Sequence, residues 1–153
     1  MKTMPISFFA QIIKLIPRGA FDKIVIEEKA DKYSKRLLSW DQLIAMLWCQ
    51  FSGAESLRDI ARGLYSGVGK LQHIQAQPMS RSSLAYANAN RTYRIFERLY
   101  YELKDLLFKG DLGRLAKVRI LICVNGVLKH VNTPDSYLRE RCANIVDSVR
   151  SLA

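Results

Sequence analysis

The chain has 153 residues, of which 49% are hydrophobic and 25% are charged. This composition fits one globular domain with one core better than a disordered tail, since a chain of this length buries roughly two thirds of its surface on folding. Lys and Arg number 24 against 14 Asp and Glu, which gives a net charge of +10. Such a surplus indicates a polyanionic partner, with nucleic acid favoured over an anionic membrane.

The residues that build disulfides and metal sites are few and far apart. Cys49, Cys123 and Cys142 occur in no paired spacing, and His73 and His130 have no cysteine or acidic neighbour at ligand spacing. This pattern argues against a disulfide framework and against a zinc site. We therefore predict a reducing, cytoplasmic environment, no metal and no cofactor.

Membrane segments are not expected, because no apolar run reaches the roughly 20 residues that span a bilayer. Near the N-terminus, apolar residues recur at helical spacing over Phe8–Ile16, with Gln11 and Lys14 on the other side. The pattern predicts an amphipathic helix rather than a signal peptide. The helix is expected to end at Pro17, whose ring disfavours a helical residue before it.

A second helix is predicted to begin at Gly19 or Ala20 and to end at Lys29. The next segment, Ala30–Leu38, carries three cations around Tyr33 and is interpreted as a basic connector.

The following helix is expected to lie at the centre of the core. Ser39 is predicted to be its N-cap, because Gln42 three residues later would complete a capping box. Its end is predicted at Gly53, since glycine adopts the left-handed terminal conformation at low cost. Apolar side chains cover most of its turns: Leu43, Ile44, Met46, Leu47, Trp48 and Phe51.

A short helix and a long helix complete the helical part. The short helix covers Ser56–Leu64 with Ser56 as its cap, and a loop is predicted over Ser66–Lys70. The long helix is predicted to run without interruption over Arg81–Phe108, which would span roughly 40 Å. Its predicted buried stripe consists of Ala85, Ala89, Phe96, Leu99, Leu103 and Leu106.

The sequence pattern changes after residue 109, so a helical domain is predicted over residues 1–109 and a separate tail over residues 110–153. In the tail, the apolar runs Val118–Val124 and Val127–Val131 flank an Asn-Gly pair, which is typical of a β-hairpin. Ser136–Leu152 then predicts an amphipathic helix. The expected fold class is mainly α, a helical bundle with a short hairpin and helix at the C-terminus.

The helix over Ser56–Leu64 and the helix beginning at Arg81 have the order of a helix-turn-helix unit, although 16 residues connect them where three or four are usual. A helix N-terminus directs free N–H groups at phosphate, and short side chains on its first turns reach base edges. The alternative is a solvated basic face on a helical bundle. The residues expected to meet the DNA groove are Arg81, Ser82, Ser83, Asn90, Arg91 and Arg94, with Ser80 and Tyr86 beside them, and those expected on phosphates are Arg58, Arg62 and Lys70.

Six short motifs occur in order along residues 5–108: Phe8–Pro17, Ala30–Tyr33, Asp41–Leu47, Ser56–Leu64, Lys70–His73 and Arg81–Arg91. The ordered set resembles the N-terminal module of bacterial insertion-sequence transposases of the "fourth insertion-sequence" type, a module described as a domain of unknown function. In that module an SLR…GL helix precedes a KL-H turn and an R-S-TL-AN-R helix. The matching residues here are Ser56, Leu57, Arg58, Leu64, Lys70, Leu71, His73, Arg81, Ser83, Leu84, Ala87, Asn88 and Arg91. The resemblance implies binding to double-stranded DNA at the terminal inverted repeats of the element.

The resemblance also implies a catalytic core beyond this module. Such transposases continue into an RNase H-like core in which two Asp and one Glu hold divalent metal. The residues after Gly110 do not resemble that core, which a frameshift would explain, and their only acids are Asp111, Asp135, Glu140 and Asp147. We therefore expect a truncated, catalytically inactive transposase that binds DNA.

Two alternatives to DNA binding stay open. Because such transposases commonly act as dimers, the Tyr- and Leu-rich segment Phe96–Phe108 is a candidate subunit contact in a helical interaction module that forms a homodimer. The second alternative is a transposase remnant without function. An intact enzyme is not expected, since the sequence contains no recognisable acid triad, nucleophile–base pair or metal cluster.

Overall fold

The computed structural model describes residues 6–52 and 54–108. Across these residues the chain is mainly helical and contains no strand, which confirms the predicted mainly α class. The elements in chain order are α1 (Ile6–Ile13), α2 (Arg18–Glu27), α3 (Ser39–Ser52), α4 (Leu57–Ser66), α5 (Val68–Leu71), a 3₁₀ turn (Gln72–Ile74), α6 (Arg81–Asn90) and α7 (Arg94–Phe108). The hairpin and helix predicted within residues 110–153, and the helix stop predicted at Gly53, lie outside the described residues.

The first helix has the amphipathic face that its spacing predicts. Phe9 and Ile13 are buried, whereas Gln11 and Lys14 are exposed. The helix ends at Ile13, earlier than predicted, because the residues before the proline form a turn instead of a further helical turn.

α3 is the central helix of the bundle. Every residue from Ser39 to Trp48 is buried, as the density of apolar side chains predicts. The Phe9 ring packs edge-on against Trp48 with centroids 5.2 Å apart, and the indole of Trp40 donates a 2.9 Å hydrogen bond to the Ile74 carbonyl. The helix is therefore fixed both by apolar contacts and by a buried polar contact.

The capping box predicted from Ser39 and Gln42 is wrong. Asp41 Oδ2 accepts from the Leu38 N–H at 3.2 Å, while Ser39 donates through N–H and Oγ to Asp31, at 2.9 and 2.7 Å. Gln42 is fully buried and bonds to side chains that follow much later in the chain. Both predicted capping residues have partners outside α3, which the spacing within the helix does not reveal.

Asp41 also holds the segment before α6. Its Oδ1 accepts from the Gln77 N–H at 2.8 Å. Burial raises the pKa of the Asp41 carboxyl above its ordinary value, against the opposing effect of the two N–H donors and of Arg18. The carboxylate is therefore a costly buried group whose hydrogen bonds join two distant segments.

The long helix predicted over Arg81–Phe108 is in fact two helices. Arg91 is extended, with φ −78° and ψ 142°, so α6 ends at Asn90 and α7 begins at Arg94. The break gives the two helices independent faces, and the predicted continuous stripe is therefore only partly correct. The buried members are Phe96, Leu99 and Leu103, the exposed ones are Ala85, Ala89 and Leu106, and α6 instead buries Leu84 and Ala87.

The segment proposed as a subunit contact, Phe96–Phe108, contributes to the chain's own core. Phe96, Leu99 and Tyr100 are each 0% exposed, and α7 packs against α2. Arg98 reinforces this contact through ion pairs to Glu27 and Glu28. These side chains are therefore used within the monomer.

The loop predicted over Ser66–Lys70 is largely helical. α4 extends to Ser66 and α5 begins at Val68, with Gly67 between them. The second short helix carries Leu71 into the core, where it is 1% exposed. Burial of this side chain explains why a glycine-rich stretch is ordered as helix.

The start of α4 agrees with its sequence pattern. Ser56 Oγ accepts from the Asp59 N–H at 3.2 Å, which confirms the predicted cap. Ile60, Ala61 and Leu64 form the buried face.

Gly63 allows α4 to approach Trp48 closely, and Gly63→Ala is expected to destabilise the protein. A Cβ at this position would lie 2.5 Å from Trp48 Nε1. Overpacking should lower the free energy of unfolding by about 2 kcal/mol, of which the better helix propensity of alanine restores about 1 kcal/mol. Urea unfolding followed by tryptophan fluorescence measures the effect. Gly19→Ala in α2 is the control, because no atom lies within 4 Å of its Cβ, and equal stability of the two variants would contradict the close approach.

Candidate nucleic-acid interface

The first turn of α6 is polar, exposed and capped by serine. Ser80 is extended, and its Oγ accepts from the Ser83 N–H at 3.2 Å. The side chains of Arg81, Ser82 and Ser83 are exposed, while Leu84 is fully buried in the core. The apolar side of α6 thus anchors the helix and leaves its N-terminal turn open to solvent.

An open groove of about 600 Å³ lies between α6 and the wall formed by Lys29 and the connector that follows it. Four residues of the predicted contact set line it, namely Ser82, Ser83, Asn90 and Arg91. The opposite wall contributes the cations Lys29, Lys35 and Arg36. We call this feature the basic groove.

The charges around the basic groove are not balanced by free carboxylates. None of the described residues that line it is acidic. Asp31, the acid within the connector, accepts from Ser39 and pairs with Arg91 at 3.3 Å. Along the chain, no Asp or Glu occurs between Asp59 and Glu97. The groove is therefore suited electrostatically to an anionic partner.

Arg91, which the sequence predicts at the DNA surface, has an interior guanidinium. Its side chain is 8% exposed. Nη1 donates to Gln42 Oε1 at 3.0 Å, and Nη2 donates to Ser34 Oγ and the Leu37 carbonyl, at 2.8 and 2.7 Å. Burial lowers the pKa of the Arg91 guanidinium from its ordinary value, and the negative charge of Asp31 opposes this. Arg91 thus holds the connector against the end of α6 instead of facing solvent.

A second buried contact fixes the orientation of α6. Gln42 Nε2 donates to Asn88 Oδ1 at 2.8 Å, and Asn88 Nδ2 lies 3.4 Å from Met46 Sδ. The amide of Gln42 therefore bridges α6 and the Arg91 guanidinium from within the core. Because buried polar groups need partners, this network restricts α6 to one position on α3.

The remaining predicted residues lie outside the basic groove. Arg58 and Arg62 are exposed on α4, which packs against α6. Lys70 is exposed on α5, and Arg94 is exposed at the start of α7. With Arg81, these side chains surround the helices but do not line the groove. The connection from α4 to α6 contains α5 and the 3₁₀ turn, in contrast to the three- or four-residue turn of an ordinary helix-turn-helix.

Sequence reasoning missed the connector wall of the groove. The predicted contact residues do not include Lys29, Lys35 and Arg36, although Lys35 and Arg36 belong to the recognisable cluster of cations around Tyr33. A spacing argument follows one helix at a time, so it does not show which distant segment lies beside that helix.

Comparison with known proteins gives one family match. Residues 5–77 match the family described as Domain of unknown function (DUF4372). The matched region includes α1–α5 and the connector wall of the basic groove, and it ends before α6. No match to this chain was found among curated proteins or among solved structures.

Metal ligands and membrane-spanning helices are both absent from residues 6–52 and 54–108. No group of three or more His, Cys, Asp or Glu side chains there is arranged to hold a metal ion. In the same residues, each helix is too short or too polar to cross a lipid bilayer.

Proposed function

We propose that this chain binds double-stranded DNA at the terminal inverted repeats of an insertion sequence, as a non-catalytic, cytoplasmic part of a transposase. The observation that supports DNA binding best is the exposed Ser80–Ser83 turn of α6 beside a groove rich in cations. The choice of terminal repeats rests on the motif resemblance over residues 5–108.

The roles of the side chains follow from their chemistry. Cations of the groove and of α4 neutralise phosphates, and these contacts position the protein without reading sequence. Arg81 and Asn90 are exposed on α6, and their side chains suit guanine and adenine edges respectively. Arg91 has no direct contact in this proposal, because its guanidinium is bonded within the fold.

Fluorescence anisotropy with labelled duplexes tests the proposal. The chain is titrated against a duplex carrying the repeat of the parent element and against a scrambled duplex, at two salt concentrations. We expect tighter binding to the repeat and weaker binding to both at higher salt, because bound cations release counterions from DNA.

The double variant Lys35→Gln/Arg36→Gln is expected to reduce the log–log salt slope by roughly 2, because each phosphate that a cation neutralises contributes about 0.9 to that slope. Its matched control, Lys23→Gln/Lys104→Gln, removes the same charge from α2 and α7 and should leave the slope nearly unchanged. Equal effects of the two double variants would contradict a specific role for the groove. Equal affinity for repeat and scrambled duplex would contradict recognition of the repeat.

A further inference from the structure

Two large aromatic side chains stand exposed in the basic groove. Tyr33 is 86% exposed on the connector, and Tyr86 is 72% exposed on α6. The two rings thus come from opposite walls of the same groove. Lys32 Nζ lies 5.3 Å from the centroid of the Tyr33 ring, which adds a cation beside the aromatic surface.

We propose that the basic groove binds unpaired nucleotides of single-stranded DNA. The bases stack on Tyr33 and Tyr86, and the phosphates contact Lys29, Lys35 and Arg36. The proposal rests on the proposed function for the choice of DNA as the nucleic acid. It goes beyond that function, because it assigns the groove to a strand that has left the duplex.

The exposed rings favour an unpaired strand over a duplex. In a duplex each base is covered on both faces by its neighbours, so a tyrosine ring outside the helix has no base face to stack on. An unpaired base offers its face, and stacking on aromatic side chains together with a positively charged groove is how proteins bind single strands without sequence preference. The groove volume, about 600 Å³, also lies in the range of sites that hold small ligands.

The groove walls are held in place before any ligand binds. Arg91, at the end of α6, donates to Ser34 Oγ and the Leu37 carbonyl of the connector. This guanidinium therefore ties the wall that carries Tyr33 to the wall that carries Tyr86. A preformed groove reduces the entropy lost on binding.

The test uses the whole chain and a short, mixed-sequence single-stranded DNA that carries 2-aminopurine, whose fluorescence falls when the base stacks. We expect wild-type protein to quench this fluorescence on binding. Tyr33→Ala and Tyr86→Ala should each weaken binding roughly tenfold and reduce the quenching, because each removes one stacking platform. Tyr33→Phe and Tyr86→Phe should bind nearly as the wild type does, since the ring face is retained.

Tyr65→Ala is the matched control, because Tyr65 is 55% exposed on α4 and does not line the groove. Circular dichroism and urea midpoints establish that each variant is folded. The proposal would be overturned if both alanine variants bound the single strand with wild-type affinity. It would also be overturned if Tyr65→Ala lost as much affinity for the single strand as Tyr33→Ala and Tyr86→Ala do. Tighter binding of RNA or of an acidic peptide in the same groove would overturn the choice of DNA.

Blunt duplex is titrated in parallel to separate the two proposals. If the chain shows no preference for the repeat but still binds single strands through the two tyrosines, only the proposed function is contradicted. If the chain binds the repeat but its binding to single strands does not depend on the two tyrosines, only the present inference is contradicted.

Discussion

Arg91→Ala is expected to lower the free energy of unfolding by about 3 kcal/mol. This value is the lower end of the range for a broken buried ion pair, because the Asp31 side chain is 23% exposed. The substitution removes three hydrogen bonds and leaves Asp31, Gln42 and the Leu37 carbonyl without their guanidinium partner. Unsatisfied buried groups then retain their full desolvation cost. Urea unfolding monitored by tryptophan fluorescence gives the magnitude.

Arg94→Ala is the matched control, since Arg94 is an exposed arginine three residues later and should change stability by less than about 0.5 kcal/mol. Arg91→Lys should recover little stability, because an ammonium group does not reproduce the planar fork that reaches several acceptors at once. Wild-type stability of Arg91→Ala would show that the guanidinium does not hold the connector to α6. DNA affinity of this variant is interpretable only under conditions where it is folded.

Phe96→Ala is expected to lower the free energy of unfolding by about 4 kcal/mol, as is typical of a large aromatic side chain removed from a core. Phe96 is 0% exposed on α7 and belongs to the same core as α1, α2 and α3. The family match ends at residue 77, so this prediction tests whether the later helices belong to the same cooperative folding unit.

Ile26→Ala provides the control on the facing helix, because Ile26 is 75% exposed on α2 and should change stability by less than about 0.5 kcal/mol. Calorimetry measures both unfolding enthalpy and midpoint. A second, separate transition, or a Phe96→Ala variant as stable as Ile26→Ala, would contradict a single core that includes α7.

Several local features follow from neighbouring residues alone. The cap at Ser56 and the amphipathic face of α1 depend on contacts within a few residues, and the structure confirms both of them. The burial of α3 is equally predictable, because apolar side chains cover nearly its whole circumference.

Other features depend on partners outside the helix to which the side chain belongs. Ser39 bonds to Asp31 instead of capping α3, and Gln42 bonds to Asn88 and Arg91 instead of completing a capping box. For each of these side chains a local motif predicts one role, and a partner outside α3 decides another. Rules that use only neighbouring residues therefore predict the local role and miss the other partner.

The sequence by itself determined the helical class, the main helix faces and the basic character of the surface, because periodicity, proline and charge act locally or additively. Only the tertiary structure decided that the helix over Arg81–Phe108 breaks at Arg91 and that the connector lies beside α6. The physical reason is that the acceptors of the Arg91 guanidinium lie in other segments, so neighbouring residues do not reveal the contact. That contact formed the basic groove, whose two walls come from distant parts of the chain.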